Sequence, residues 1–336
     1  MTSCHVRSLR VLFVAPSTPA GPTTTFIRSD IAAVERLGVT GRTFLLGPRT
    51  SLPGLIRDAR RFRKELAEFK PDLVHAHYGT MTAMFCVLLA QQPLVISYQG
   101  SDLNPFVHSN RLRSPVGRIL SQIAALRASR IICVSRQLKE ALWWRQSRAW
   151  VIPSGVDTAV FTPLPKREAR TSMGWAEQDR IVVSSAGTDP QRKRLDLAQS
   201  AVALAERVCG KIRFVVLEGR TEQKDIAVIF SAADCLLLTS DREGSPNIVK
   251  EAMACNLPVI SVDVGDVRER LRSVHPSSIV TRNPSDIART LVEFVTSPKR
   301  SNGAEMMVDL SAEHAARKVL NLYQEALAHE PSVQSS

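Results

Sequence analysis

The segment DCLLLTSDREGSPNIVKEAMACNLPVISVD, residues 234–263, carries the fold in miniature. The apolar run DCLLLTS reads as a buried strand, and so does LPVISVD. Between them lie a Gly-Ser-Pro break and a stretch with helical spacing. Strand, loop, helix and strand in that order form a parallel crossover unit. Glu243 and Glu251 stand eight positions apart. In one continuous helix they would be about 80° apart and about two turns separated, a poor arrangement for one small target. Gly244 permits backbone angles that other residues avoid. Ser245 is a good N-cap, and Pro246 suits the first helical position. The helix is therefore expected to start at Ser245, with Glu243 in the loop before it and Glu251 near the end of the second turn.

A ligand lying across that helix start meets Glu243 at one end and Glu251 at the other. Between them it meets the free N–H groups of the first turn, which favour anions. Carboxylates accept hydrogen bonds from sugar hydroxyls, while amides and cations hold phosphate. A nucleotide-sugar has that layout.

The rest of the chain repeats the crossover pattern. LRVLFVAP, PDLVHAH, PLVISYQ and SRIICVS read as buried strands in the first half. RIVVSSAG and IRFVVLEG join the two strands already named in the second. Helical spacing follows in TTTFIRSDIAAVERLG and in IRDARRFRKELAEFK, and helices are expected from about Asp196 and Ile226. Buried strands alternating with helices imply doubly wound parallel sheets. The Pro-rich stretch IPSGVDTAVFTPLPKR, at 152–167, reads as the linker. The expected organisation is a Rossmann-like domain over 1–150, a second over 151–310 and a helix over 311–328 packing back toward the first domain. A polar tail over 329–336 is expected to be disordered. Two such domains facing each other leave a cleft, and ligands bind beyond the C-terminal ends of the strands.

The chain has 336 residues, of which 44% are hydrophobic and 23% charged, a globular balance. No apolar run reaches the ~18 residues of a membrane span. VLFVAP is too short for a secretory signal core. The six cysteines show neither a CxxC pair nor metal-ligand spacing, and several sit in apolar runs. They read as reduced core residues of a cytoplasmic protein. Residues 1–150 hold 21 Lys+Arg against 8 Asp+Glu, a net of +13, whereas the remainder is −1. Such asymmetry points the first half at an anionic partner. Nucleic acid is disfavoured, because the basic residues are not interleaved with aromatics and no nucleic-acid motif is present. An anionic membrane surface fits better. Segments 57–70 and 111–130 mix arginines with apolar residues at helical spacing, as interfacial helices do. The protein would then be peripheral at the inner face of the membrane.

EGSPNIVKEAMACNLPVI resembles the E-x7-E signature of retaining GT-B glycosyltransferases, glycosyltransferase family 4 and glycosyl transferases group 1. DLVHAHYG, SRIICVSRQLKEAL, IPSGVDTAVF and AGTDPQRKRLD are similar to further segments of that family, in the same order, over about 9–328. The resemblance implies an α/β fold of GT-B type, with acceptor binding in the first domain and nucleotide-sugar binding in the second. It implies that Glu251 accepts the ribose hydroxyls and that Glu243 contacts the donor sugar near the reaction centre. Lys193 would neutralise the diphosphate leaving group, helped by Arg192 and Arg194. Gly187 lies in the phosphate loop, and the amides of Gly244, Ser245, Pro246 and Asn247 mark the segment that holds sugar or phosphate, except that proline has no N–H. Gly21, Pro22 and Thr23 fall on the acceptor-side loop. Three positions depart from the family pattern. Gln99 stands where the family has a histidine, with Asp102 retained; glutamine cannot exchange protons, so it can only hydrogen-bond the sugar. Thr188 takes the place of the usual arginine, and the loop between VVLEG and SAADC is short.

In such a transfer the departing diphosphate takes the acceptor's proton, so the protein's task is electrostatic. No Asp-x-Asp pair appears, and no metal or cofactor is expected beyond the co-substrate, with a UDP-sugar favoured over a GDP-sugar. The acceptor would be a glycan or a lipid-linked sugar. A hydrolase or phosphorylase using Glu243 and Glu251 as acid and base is the enzymatic alternative. A non-catalytic nucleotide-sugar-binding protein is the alternative from another class. A nicotinamide enzyme is disfavoured, because PSTPAGPTTTF lacks the Gly-x-Gly-x-x-Gly loop.

Overall fold

The computed structural model describes residues 8–17, 23–48, 51–103, 113–187 and 189–328. The chain divides into two units, Met1–Gly155 with Ala312–Ser336, and Val156–Ser311.

The first unit alternates strand and helix from its start. In order come β1 (Arg10–Pro16), α1 (Thr25–Glu35), β2 (Thr40–Leu46), α2 (Leu52–Phe69), β3 (Leu73–His77), α3 (Met81–Leu89), β4 (Leu94–Tyr98), α4 (Arg113–Arg127), β5 (Arg130–Cys133), α5 (Arg136–Glu140) and β6 (Ala149–Val151). The strands form one parallel sheet in the order β2-β1-β3-β4-β5-β6. Every residue of β3, β4 and β5 is buried, the state that continuous apolar strands require when helices cover both faces. On one face, Phe62 and Phe69 of α2, Ala83 and Phe85 of α3 and Ala124 and Ala125 of α4 pack on Leu12, Val74 and Ile96. On the other, α1 supplies Ile27, Ile31 and Val34.

The second unit holds α6 (Lys166–Ser172), β7 (Arg180–Ser185), α7 (Leu195–Cys209), β8 (Ile212–Leu217), α8 (Gln223–Ala232), β9 (Cys235–Leu238), α9 (Asn247–Ala254), β10 (Val259–Val262), α10 (Val267–Leu271), β11 (Ser278–Val280) and α11 (Pro284–Thr296). Its parallel sheet runs β11-β10-β9-β7-β8. The last helix, α12 (Ala312–Ala328), returns to the first unit, where Ala316, Leu322 and Tyr323 join the core beside α1.

The first unit ends after Gly155 rather than at 150. Ile152 N–H still donates to Cys133 O at 3.0 Å, so the exit from β6 belongs to the first sheet. The expected tail over 329–336 lies outside the described residues. β2, β6 and β11, absent from the sequence reading, are edge strands, and the first half of β2 is mostly exposed. Lacking a buried second flank, they need no continuous apolar run.

Candidate functional site

In the second unit the chain leaves β7 toward β8, then crosses back so that β9 lies on the other side of β7. Loops leaving β7 and β9 therefore diverge and open a crevice at the strand C-terminal ends. The β7 loop carries Gly187 and Lys193, and the β9 loop carries Glu243. The two loops are stitched together. Asp241 N–H donates to Arg192 O at 2.9 Å, and the Thr239 hydroxyl lies 3.0 Å from the carbonyls of both Lys193 and Arg194. Gly187, at φ +53°, takes a left-handed backbone that suits glycine, and it lies beside the lysine: a Cβ there would make ordinary contact with Lys193 Cε at 3.8 Å.

This stitching brings two expected cations onto one expected carboxylate. Lys193 Nζ is 2.6 Å from Glu243 Oε1, and Arg192 Nη1 is 3.2 Å from Oε2. The Lys193 and Glu243 side chains keep only 12% and 11% of their surface exposed. Burial alone would raise the Glu243 pKa, but the charges of Lys193 and then Arg192 outweigh it and hold the carboxyl below its usual value. Glu251 is partly exposed, and its carboxyl is pushed up to about 7 by burial, with Lys250 and Lys193 opposing only weakly. The two glutamates therefore sit at opposite electrostatic settings within reach of one lysine. Arg194 turns aside. It binds Asp196 at 2.9 Å and Asp241 at 3.4 Å, so it braces the β9 loop rather than joining the Glu243 cluster.

The helix start differs from expectation. α9 begins at Asn247, and Pro246 is its cap residue with an extended backbone. Ser245 is thus not the N-cap. Its hydroxyl oxygen and Asn247 Oδ1 are buried with no hydrogen-bond partner among the described residues. Starting the helix one residue later leaves the segment from Glu243 to Pro246 as open loop and keeps Glu251 in the second turn. Orphaned buried polar atoms cost free energy, which a polar ligand removes by pairing with them.

Two site residues escaped the sequence reading. Gly265, at φ +58°, backs the β9 loop so closely that a Cβ would lie 2.7 Å from Gly244 O and 3.1 Å from Glu243 O. Nothing in the sequence before it reports that contact. Arg282 donates to the Ser240 carbonyl at 3.1 Å. Its position just past β11, at the same edge of the sheet, was the available signal.

Gln99 and Asp102 lie in the first unit, in the loop after β4. Asp102 is buried, and its carboxylate accepts from the backbone N–H of Gly79 at 3.0 Å, Gln99 at 3.0 and 3.1 Å and Gly100 at 2.8 Å. Burial raises its pKa, and these amides only partly counter the rise. It therefore ties the loops after β3 and β4 together, a positioning role. Gln99 lines a small cavity of about 30 Å³ with His75, His77, Ser97 and Tyr323. His75 Nδ1 lies 2.6 Å from the Tyr323 hydroxyl and its Nε2 lies 2.8 Å from Ser97 Oγ, which pins α12 to the sheet. His77 has neither nitrogen partnered among the described residues, and burial lowers its pKa to about 3. Both histidines are thus held neutral. Thr23 is buried, its hydroxyl without a partner among the described residues; Gly21, Pro22 and Thr188 lie outside them.

Two doubly wound parallel units, the second with a cation-clamped glutamate at its switch point, define the two-domain Rossmann-like GT-B architecture. The model for Glycosyltransferase Family 4 matches residues 7–160, and that for Glycosyl transferases group 1 matches 175–297. The chain belongs to this glycosyltransferase family. It is 27% identical over 222 residues to TuaC of Bacillus subtilis (strain 168), a glycosyltransferase named for teichuronic acid biosynthesis. That match covers 59% of this chain and 54% of the relative, so the chain matches about half of that relative's length. Among solved structures it superposes on the sucrose-phosphate synthase of Thermosynechococcus elongatus with a TM-score of 0.75 at 17% identity, covering 96% of this chain and 100% of the other. Against Anabaena HepE in complex with UDP the TM-score is 0.68 at 15% identity, covering 94% and 99%. At these identities the structural likeness is one of fold.

Proposed function

We propose that this chain is a retaining glycosyltransferase that moves a sugar from a nucleotide-diphosphate-sugar to a glycan or lipid-linked acceptor, in polysaccharide or glycolipid biosynthesis. The observation that carries the reading is the buried Glu243 carboxylate held between Lys193 and Arg192 at the switch point of the second sheet. When a diphosphate enters, the two cations supply the charge that stabilises it as it departs. Glu243 stays ionised and can face the positive charge that develops on the sugar ring. Glu251, nearly balanced between its two protonation states at neutral pH, suits a hydroxyl-rich partner such as ribose. It accepts hydrogen bonds when ionised and also donates one when protonated. Ser245 Oγ and Asn247 Oδ1 are ready to pair with the same ligand. The complex of a fold relative with UDP supports a UDP-sugar as donor.

The opposite pKa settings of Glu243 and Glu251 also fit the acid–base pair of a hydrolase or phosphorylase. Calorimetric titration with UDP and GDP, followed by turnover of the matching nucleotide-sugars, separates the readings. Saturable nucleotide binding and acceptor-dependent release of the nucleotide, with the anomeric configuration kept in the product by NMR, supports the proposal. Sugar release by water or phosphate from substrates lacking a nucleotide would overturn it, as would inversion at the anomeric carbon.

A further inference from the structure

Large apolar side chains are left exposed mainly on one layer of the first unit. On α4, Val116, Ile119, Ile123 and Leu126 are exposed by 54%, 45%, 39% and 44%, at spacings of three and four residues that place them on one helix face. The opposite face of α4 buries Ala124 and Ala125 in the core. Beside α4, Trp143 is half exposed, held by its backbone N–H to Gln122 Oε1 at 2.9 Å and covered by the Arg118 guanidinium at 5.7 Å. Leu88 projects from α3, and Leu52 and Ile56 from the start of α2. Since α2, α3 and α4 pack on the same face of the sheet, these outward residues share one side of the unit.

The charge on that side is one-signed over most of its extent. Arg57, Arg60, Arg61, Arg63 and Lys64 are exposed on α2, and Leu52 and Ile56 line an open depression with Arg57, Arg60 and Arg61. Arg57, Arg60 and Arg63 make no ion pair among the described residues. α3 and α4 carry no acidic residue, and the acidic Glu65 and Glu68 of α2 are paired with Arg42 and Lys64. No helix among the described residues is long and apolar enough to cross a membrane.

We infer that the α2–α3–α4 layer docks the protein on an anionic phospholipid surface. Aliphatic side chains and a tryptophan enter the interface while arginines above them meet the head-group phosphates. A second copy of the chain would also cover an apolar stripe, but it would set two arginine-rich α2 faces against each other. The net +13 of residues 1–150 complements a negative surface instead. The mix of arginines and apolar residues at helical spacing in segments 57–70 and 111–130 raises the same expectation from the sequence, residues 111 and 112 lying outside the described set; the exposure of the apolar stripe is what the fold adds. The surface does not depend on the sugar chemistry proposed above.

The test is co-sedimentation with vesicles of phosphatidylglycerol in phosphatidylcholine and with phosphatidylcholine alone, at 0.1 M and 1 M salt. Binding is expected to the anionic vesicles only, and to fall at least tenfold at high salt, where the Debye length shrinks from ~10 Å to ~3 Å. Arg57→Gln/Arg60→Gln/Arg63→Gln should lower the partition coefficient by about 100-fold, which is ~3 kcal/mol at ~1.4 kcal/mol per tenfold. Ile119→Gln/Ile123→Gln should lower it by about tenfold for each isoleucine. Val208→Gln/Val308→Gln, changing side chains 74% and 75% exposed in the second unit, should leave it unchanged. All replaced residues are exposed, and unchanged melting of each variant confirms folding. Absence of binding, equal binding to both vesicle types, or equal loss in the second-unit control overturns the inference. So does a lipid-free dimer in sedimentation velocity that the α4 double variant dissociates, since that assigns the stripe to a second copy.

Discussion

Glu251→Gln replaces a carboxyl held near neutrality by an amide of the same shape, and its effect should depend on pH. Burial moves this carboxyl from 4.5 to about 7. Between those values the folded chain binds the proton more tightly than the unfolded chain, so stability falls as pH rises across that window and is level above it. Ionising such a group in the fold costs about 3 kcal/mol from the shift, reduced to about 2 kcal/mol by the water at its exposed rim. The glutamine variant never pays that cost. In the absence of nucleotide it should therefore match the parent near pH 5 and exceed it by about 2 kcal/mol at pH 8. For a unit of this size that is a melting-temperature gain of about 4–8 °C. Scanning calorimetry from pH 5 to pH 8, following the transition of the second unit, measures it. A Glu251→Gln difference that is the same at both ends of the range would refute the argument, because it would show that Glu251 ionises in the fold as it does in water.

Three further outcomes follow from the same site. Glu251→Ala should weaken nucleotide binding by about tenfold to a hundredfold, the loss of about 1.5–3 kcal/mol of charged hydrogen bonding, while Glu243→Ala mainly lowers kcat; unchanged nucleotide affinity in the Glu251 variant contradicts the assignment. Lys193→Ala should lower kcat by at least about tenfold to a hundredfold, and more than Arg192→Ala, since the lysine is the closer and more buried partner of Glu243; the reverse order in steady-state kinetics would hand the leaving-group role to the arginine. Gly265→Ala places a Cβ 2.7 Å from Gly244 O at a left-handed φ, so it should destabilise the second unit by at least about 1–2 kcal/mol and depress turnover by shifting Glu243; a wild-type melt with full activity would show that the β9 loop yields freely.

Most of the architecture was legible because buried parallel strands must be apolar throughout. LVHAH, LVISY, RIIC and CLLL announce themselves for that reason, and the helices between them show their period in one stripe. The same local logic placed Glu243 in a loop and Glu251 in the helix after it. It failed by one residue at the helix start, because Ser245 is an able cap in isolation while the packed loop leaves its hydroxyl unused. Arg192, Lys193 and Arg194 are adjacent and chemically alike, so the sequence alone cannot rank them. The tertiary structure does: stitching of the β7 and β9 loops turns Lys193 and Arg192 onto Glu243 and sends Arg194 to Asp196 and Asp241. Nothing in the sequence marks Asp102 as occupied, yet in the fold three backbone N–H groups from two loops donate to its carboxylate. The raised pKa of Glu251, the support from Gly265 and the exposed face of α4 share one physical cause. Each depends on what the rest of the chain removes from water or leaves in it, and burial is a property of distant segments brought together rather than of the residues on either side.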